Sequence, residues 1–69
     1  MTANHALDKY LSSLESTERV AKSRDIRAFC QISRFVLSDW RRGRSQIPCL
    51  FRDKIKEVVG ENIFENVTN

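Results

Sequence analysis

The chain has 69 residues, with 12 bases against 9 acids and a single histidine, and its size predicts one small, basic domain spanning residues 1–69. A chain this short buries only about 60% of its unfolded surface, which leaves room for one small core and a shallow surface site but hardly for an enclosed catalytic cavity. His5 and the scattered carboxylates form no acid–base pair, so neither an enzyme nor a bound cofactor is expected.

Leu7, Tyr10, Leu11 and Leu14 recur at i, i+3, i+4 and i+7 and predict an amphipathic helix over about Ala3 to Leu14, capped by Thr2 or Asn4. The serine-rich stretch Ser12–Thr17 ends it. Ser16 or Thr17 starts a second segment, with Glu18 in the first turn, where the helix dipole favours an acid. This segment either runs unbroken to Cys30 or restarts at Ser23, and Val20, Ile26, Phe29 and Cys30 supply its buried face in both cases. After the turn Gln31-Ile32-Ser33, Ser33 caps a third helix from Arg34 to about Arg42, and Gly43 stands at its left-handed stop. Arg44–Gln46 form a polar loop. Pro48, its φ preset, opens a fourth helix to Val59, with Phe51, Ile55, Val58 and Val59 inward and Gly60 at its end. The tail, residues 61–69, carries Ile63, Phe64 and Val67, enough for one short turn. No strand signal, repeat or linker is visible, so the expected class is all-α with four short helices, or five if the tail adds one.

Cys30 and Cys49 sit in apolar stretches and read as free, buried thiols of a reducing cytoplasm, with a disulfide between them as the minor option. No Cys-x-x-Cys spacing exists and His5 is alone, so no metal is expected. Met1–Leu14 lacks the apolar run and cleavage-like site of a secretory leader, and no apolar run is long enough to span a membrane.

The most informative stretch is Asp25–Arg44, DIRAFCQISRFVLSDWRRGR. If helical, Phe29, Cys30 and Ile32 on one side and Leu37 and Trp40 on the other form one apolar seam, which puts Phe35, Ser38, Asp39 and Arg42 about half a helix circumference away. The formal charge of +3 is concentrated here: residues 19–44 hold eight bases against two acids, a net +6, whereas residues 1–18 sum to −2 and residues 45–69 to −1. Such a block attracts polyanions through its field and through counterion release, although charge runs on small helical proteins are often just solvated faces. A helix anchored on one face, with arginine and short polar groups on the other, suits the major groove of double-stranded DNA.

Cys30-Gln31-Ile32-Ser33, then Leu37, then Trp40-Arg41-Arg42-Gly43-Arg44, then Ile47-Pro48, resembles the helix-turn-helix of phage Cro-type and repressor-type regulators, the small Cro-like and YdaS-like proteins above all. The resemblance covers roughly residues 7–67, with its specific part in the twenty or so residues around 23–43. The chain departs from that pattern at Gln31, where the family usually places a left-handed glycine, and at Arg27, where it favours alanine. Residues 16–30 also look about three residues long for the shorter members.

The resemblance implies a lambda-repressor-like fold in which the helix Ser23–Cys30 lies across the DNA backbone and Arg34–Arg42 enters the major groove, with Ser33, Arg34 and Phe35 deepest. Arg34 would pair with guanine or hold a phosphate, Phe35 would meet a thymine methyl or another protein, and Ser38 would donate to a base or a phosphate. Asp39 would accept from cytosine or orient Arg42, while Arg41, Arg42 and Arg44 would grip phosphate or cap the helix C-terminus. It also implies a homodimer on an inverted repeat, repressing by operator occupancy, with no small-molecule effector and with Val59, Ile63, Phe64 and Val67 as candidate dimer contacts. Those four residues equally suit a monomer core. Two rival readings stay open: a helical protein-interaction module, antirepressor- or antitoxin-like, and an architectural or excision-type DNA binder.

Overall fold

Among the described residues four helices form: α1 (Ala3–Ser13), α2 (Ser16–Cys30), α3 (Arg34–Arg42) and α4 (Cys49–Val59). The computed structural model describes residues 2–65 and 67, and the expected tail, 61–69, is therefore seen without its positions 66, 68 and 69, which lie outside the described residues together with Met1. There is no strand among the described residues, and the fold is all-α. No helix is long and apolar enough to cross a membrane.

Thr2, not Asn4, caps α1, its hydroxyl accepting from His5 N–H at 3.1 Å. Leu14 and Glu15 are both extended, which separates α1 from α2 one residue earlier than the apolar period suggests. The Ser13 hydroxyl donates to Tyr10 C=O at 2.6 Å, a side-chain competitor for the backbone at the last turn. α2 runs unbroken from Ser16, and Ser23 is simply part of it.

Gln31 ends α2 in the left-handed conformation, φ 56° and ψ 47°, the one positive-φ residue other than glycine among those described. Its N–H and that of Ile32 both reach Arg27 C=O, and Ile32 folds onto the core, so the chain reverses into α3 within three residues. Ser33 caps α3 by accepting from Val36 N–H at 3.2 Å. Gly43, at φ 75°, closes α3 with the same kind of turn, Gly43 N–H reaching Trp40 C=O and Arg44 N–H reaching Asp39 C=O. Pro48 is extended and stands just before α4 rather than inside it, its C=O accepting from Phe51 and Arg52 N–H.

α1 packs chiefly on α3, and α2 chiefly on α4. The core joins Ala3, Leu7 and Leu11 of α1, Ile26 and Cys30 of α2, Leu37 and Trp40 of α3, Ile47 of the loop and Ile55 of α4. Leu7, Leu11, Ile26, Ile47 and Ile55 are fully buried, and each stabilises the fold by roughly 1.5–3 kcal/mol relative to exposure. The radius of gyration is 10.7 Å, against about 11 Å for a well-packed chain of this length.

Three expectations are corrected, the burial of Phe29, of Val20 and of Cys49. Phe29 is 45% exposed and Val20 57% exposed, so neither supplies the buried face of α2. At about 100° per residue the inward stripe through Ile26 and Cys30 continues back to Lys22 and Arg19 and leaves Phe29 and Val20 on the flanks. Cys49 is exposed, because it lies with Leu50 on the outer side of the first turn of α4 while Phe51 takes the inner side; Cys30 is buried, and both thiols are free. The tail forms the expected short turn among the described residues, with Asn62 Oδ1 accepting from Phe64 N–H at 3.1 Å.

Gln31 carries a Cβ where the backbone suits glycine. Gln31→Gly is expected to raise the unfolding free energy by up to about 1 kcal/mol, the relieved strain less the added chain entropy, with a Tm gain of at most roughly 4–8 °C. A lower Tm would mean that the side chain does more than tolerate the turn. Burial pushes the Cys30 thiol up, with Lys54 pulling in the opposite direction. An alkylating reagent near neutral pH is therefore expected to modify Cys49 in the folded protein and Cys30 only on unfolding, as read by intact mass.

Candidate nucleic-acid interface

α3 is a short helix whose orientation is fixed from one side. Leu37 and Trp40 are buried, and the Trp40 ring lies 5.5 Å from that of Phe51 on α4, tilted by 47°. Asn4 of α1 donates its amide to Trp40 C=O at 2.8 Å and to Ser45 C=O at 2.6 Å, tying the end of α3 and the following loop to the first helix. Sequence reasoning offered Asn4 only as a cap; its role as a tie depends on a contact 36 residues away along the chain.

With that face inward, about 100° per residue places Phe35 and Arg42 nearly opposite the Leu37–Trp40 stripe. Arg34, Ser38 and Arg41 fall on the flank toward α1, and Asp39 on the other flank. Ser33, Arg34, Phe35, Arg42 and Arg44 are exposed, and Ser38, Asp39 and Arg41 are half-buried. Phe35 is 68% exposed, with the Arg34 guanidinium 5.1 Å from its ring centre. No ion pair joins Asp39 to Arg42 among the described residues, and it is the backbone C=O of Asp39 that takes part in the helix stop.

The structure divides the basic block into two sets of four. Arg19 donates to Leu14 C=O at 3.1 Å, Lys22 to Val58 C=O at 3.3 Å and Arg27 to Ser23 C=O at 3.3 Å. Arg41 pairs with Asp8 at 2.8 Å and donates to Ser12 Oγ at 3.2 Å. All four are half-buried and are used within the fold. Arg24, Arg34, Arg42 and Arg44 are exposed, and among the described residues their side chains meet no hydrogen-bonding or ionic partner. Arg24 belongs to the charge block, and only the exposed face it occupies on α2 sets it apart from Arg19, Lys22 and Arg27.

An open groove lies between α1 and α3, lined by Asp8, Arg34, Leu37, Ser38, Arg41 and Arg42. Arg41 is taken up there by Asp8, which leaves Arg34, Arg42 and the Ser38 hydroxyl as groups whose chemistry suits anionic oxygen atoms. The candidate dimer contacts lie elsewhere: Val59, Ile63, Phe64 and Val67 are half-buried and pack against the protein's own core. The described residues contain no group of three or more His, Cys, Asp or Glu side chains placed to hold a metal ion.

No family model, no curated protein and no solved structure matches the chain.

Asn4 holds two carbonyls that set where Arg42 and Arg44 stand. Asn4→Ala is expected to cost about 0.5–1.5 kcal/mol of stability in a denaturant melt, since Trp40 C=O keeps its bond from Gly43 N–H and the exposed Ser45 C=O turns to water. A change below a few tenths of a kcal/mol would show that water replaces the amide without loss.

Proposed function

We propose that this protein is a sequence-specific double-stranded DNA-binding transcriptional regulator of the small Cro-like, helix-turn-helix kind, acting by operator occupancy. One observation carries the reading: α3 turns Leu37 and Trp40 inward while Arg34, Phe35 and Arg42 face out, with Arg44 just past its end and all three arginines unpaired. The left-handed turn at Gln31 and the Ser33 cap support it, since together they present the amino end of α3 at the surface. In this reading the amino end of α3 enters the major groove, where Arg34 reads guanine and Phe35 meets a thymine methyl, while Arg42, Arg44 and Arg24 hold phosphates. Arg41 leaves this set, because Asp8 and Ser12 occupy its guanidinium. Two copies on an inverted repeat would supply the length of sequence that one nine-residue helix does not read alone.

A second reading, a helical protein-interaction module, draws on Leu50, which is 67% exposed at the start of α4, and on the exposed Phe35 ring.

Selection from a random duplex pool near physiological salt is expected to enrich an inverted repeat, whereas no retention of duplex by folded protein would favour the interaction module. On the enriched site Arg34→Ala is expected to lose about 1–3 kcal/mol and to relax the preference at one base pair. Arg44→Ala is expected to weaken all duplexes alike and to flatten the salt dependence by about 0.9 in slope. Equal effects of both changes on every sequence would overturn this division of roles.

A further inference from the structure

Three guanidinium groups line the groove between α1 and α3, and one of them already has an anion. Asp8 Oδ1 accepts from Arg41 Nε at 2.8 Å, and Ser12 Oγ takes a second donor of the same guanidinium at 3.2 Å. Arg34 and Arg42, which line the same groove, meet no carboxylate. The pair is only partly buried, with side chains 30% and 40% exposed. An isolated pair at such a surface contributes about 0–1 kcal/mol, so stability alone is a weak reason for an acid in an otherwise positive groove. Asp8 also stands where an incoming phosphate would stand relative to Arg41, since a carboxylate and a phosphate offer the guanidinium the same kind of oxygen acceptor.

We propose that Asp8 is an internal phosphate substitute: it occupies Arg41, keeps that arginine off the polyanion, and so limits how many phosphates the α1–α3 groove takes. This rests on the DNA reading above and adds to it a residue on α1 that sets non-specific affinity. A phosphate contact carries no sequence information, so the limit acts on every duplex equally and leaves discrimination to the outer face of α3. Asp8 is a positioning residue in this scheme, acting through Arg41 and touching no DNA.

The salt dependence of binding to a duplex of arbitrary sequence counts phosphates directly, because log K falls with log salt by about 0.9 for each phosphate neutralised. Asp8→Asn, which removes the charge and keeps the shape, is expected to steepen that slope by about 0.9. Between 50 and 200 mM salt its affinity should then fall roughly 3.5-fold further than that of the unmodified protein. Arg41→Gln alone is expected to leave the slope unchanged, and the double variant to return to the original slope. A slope that Arg41→Gln flattens by about 0.9 would overturn the proposal, since Arg41 would then be on phosphate already. That arm stands even if Asp8→Asn folds poorly. An unchanged slope in a folded Asp8→Asn variant would overturn it as well, with the DNA reading intact. If the unmodified protein binds no duplex at any salt, the DNA reading fails and this inference falls with it.

Discussion

The burial of Leu37 and Trp40 is the constraint on which the rest of the molecule depends. A helix of nine residues has almost no stability of its own in water, because nucleation costs more than so few hydrogen bonds return. α3 exists because its inner stripe is held by α1, by Phe51 and by the Asn4 amide, and because Ser33 and Gly43 satisfy its two ends. The same contacts decide which residues face solvent. Once Trp40 is in, Phe35 and Arg42 have to be out, since about 100° per residue fixes them on the far side. The outward display of arginine is thus a consequence of core packing rather than a separate feature.

The charge pattern follows a similar logic. A block of net +6 on so small a body would repel itself if every base stood free in solvent. Four of its eight bases are engaged within the fold, three by backbone carbonyls and one by Asp8. Arg19 and Lys22 lie along the inward stripe of α2, where their aliphatic stems cover the core and their heads reach the ends of α1 and α4. These bases cap helix C-termini, where cations are favoured by the dipole. The four left over are the ones the fold does not need, and they belong to α2, α3 and the loop after α3.

Much of this was legible in the sequence because it is local. The caps at Ser33, Gly43 and Gly60, the continuity of Leu7 with Leu11, and the inward pair Leu37 and Trp40 follow from spacing and residue type alone. The left-handed Gln31 came from the family resemblance, which marks that position for glycine. What was missed depends on neighbours far along the chain. Phe29 and Val20 are apolar but lie on the flanks of the inward stripe, which Ile26 and Cys30 carry, and which side of α2 the other helices cover depends on packing between distant segments. Cys49 looked buried because Ile47, Leu50 and Phe51 surround it in sequence; in space only Ile47 is fully enclosed and Leu50 projects into solvent. The division of the arginines could not be read either, since Asp8 and Arg41 are 33 residues apart.

The tail bears on how two copies would meet. Val59, Ile63, Phe64 and Val67 are already half-covered by the protein's own core, so only their outer edges remain for a partner. A domain this small has little stability to spare, and removing those side chains from its core to build a dimer would cost more than their exposed edges return. Dimerisation through the tail would therefore have to add surface to the existing packing rather than exchange it. On the proposed DNA reading, that would favour a weak pairing completed on the duplex, where two bound copies would raise each other's effective concentration without a large interface. Such an arrangement would also relieve the mutual repulsion of Arg24, Arg34, Arg42 and Arg44, because each phosphate that approached would remove part of the field opposing the fold. Under the proposed function, stability and binding would then be linked by mass action.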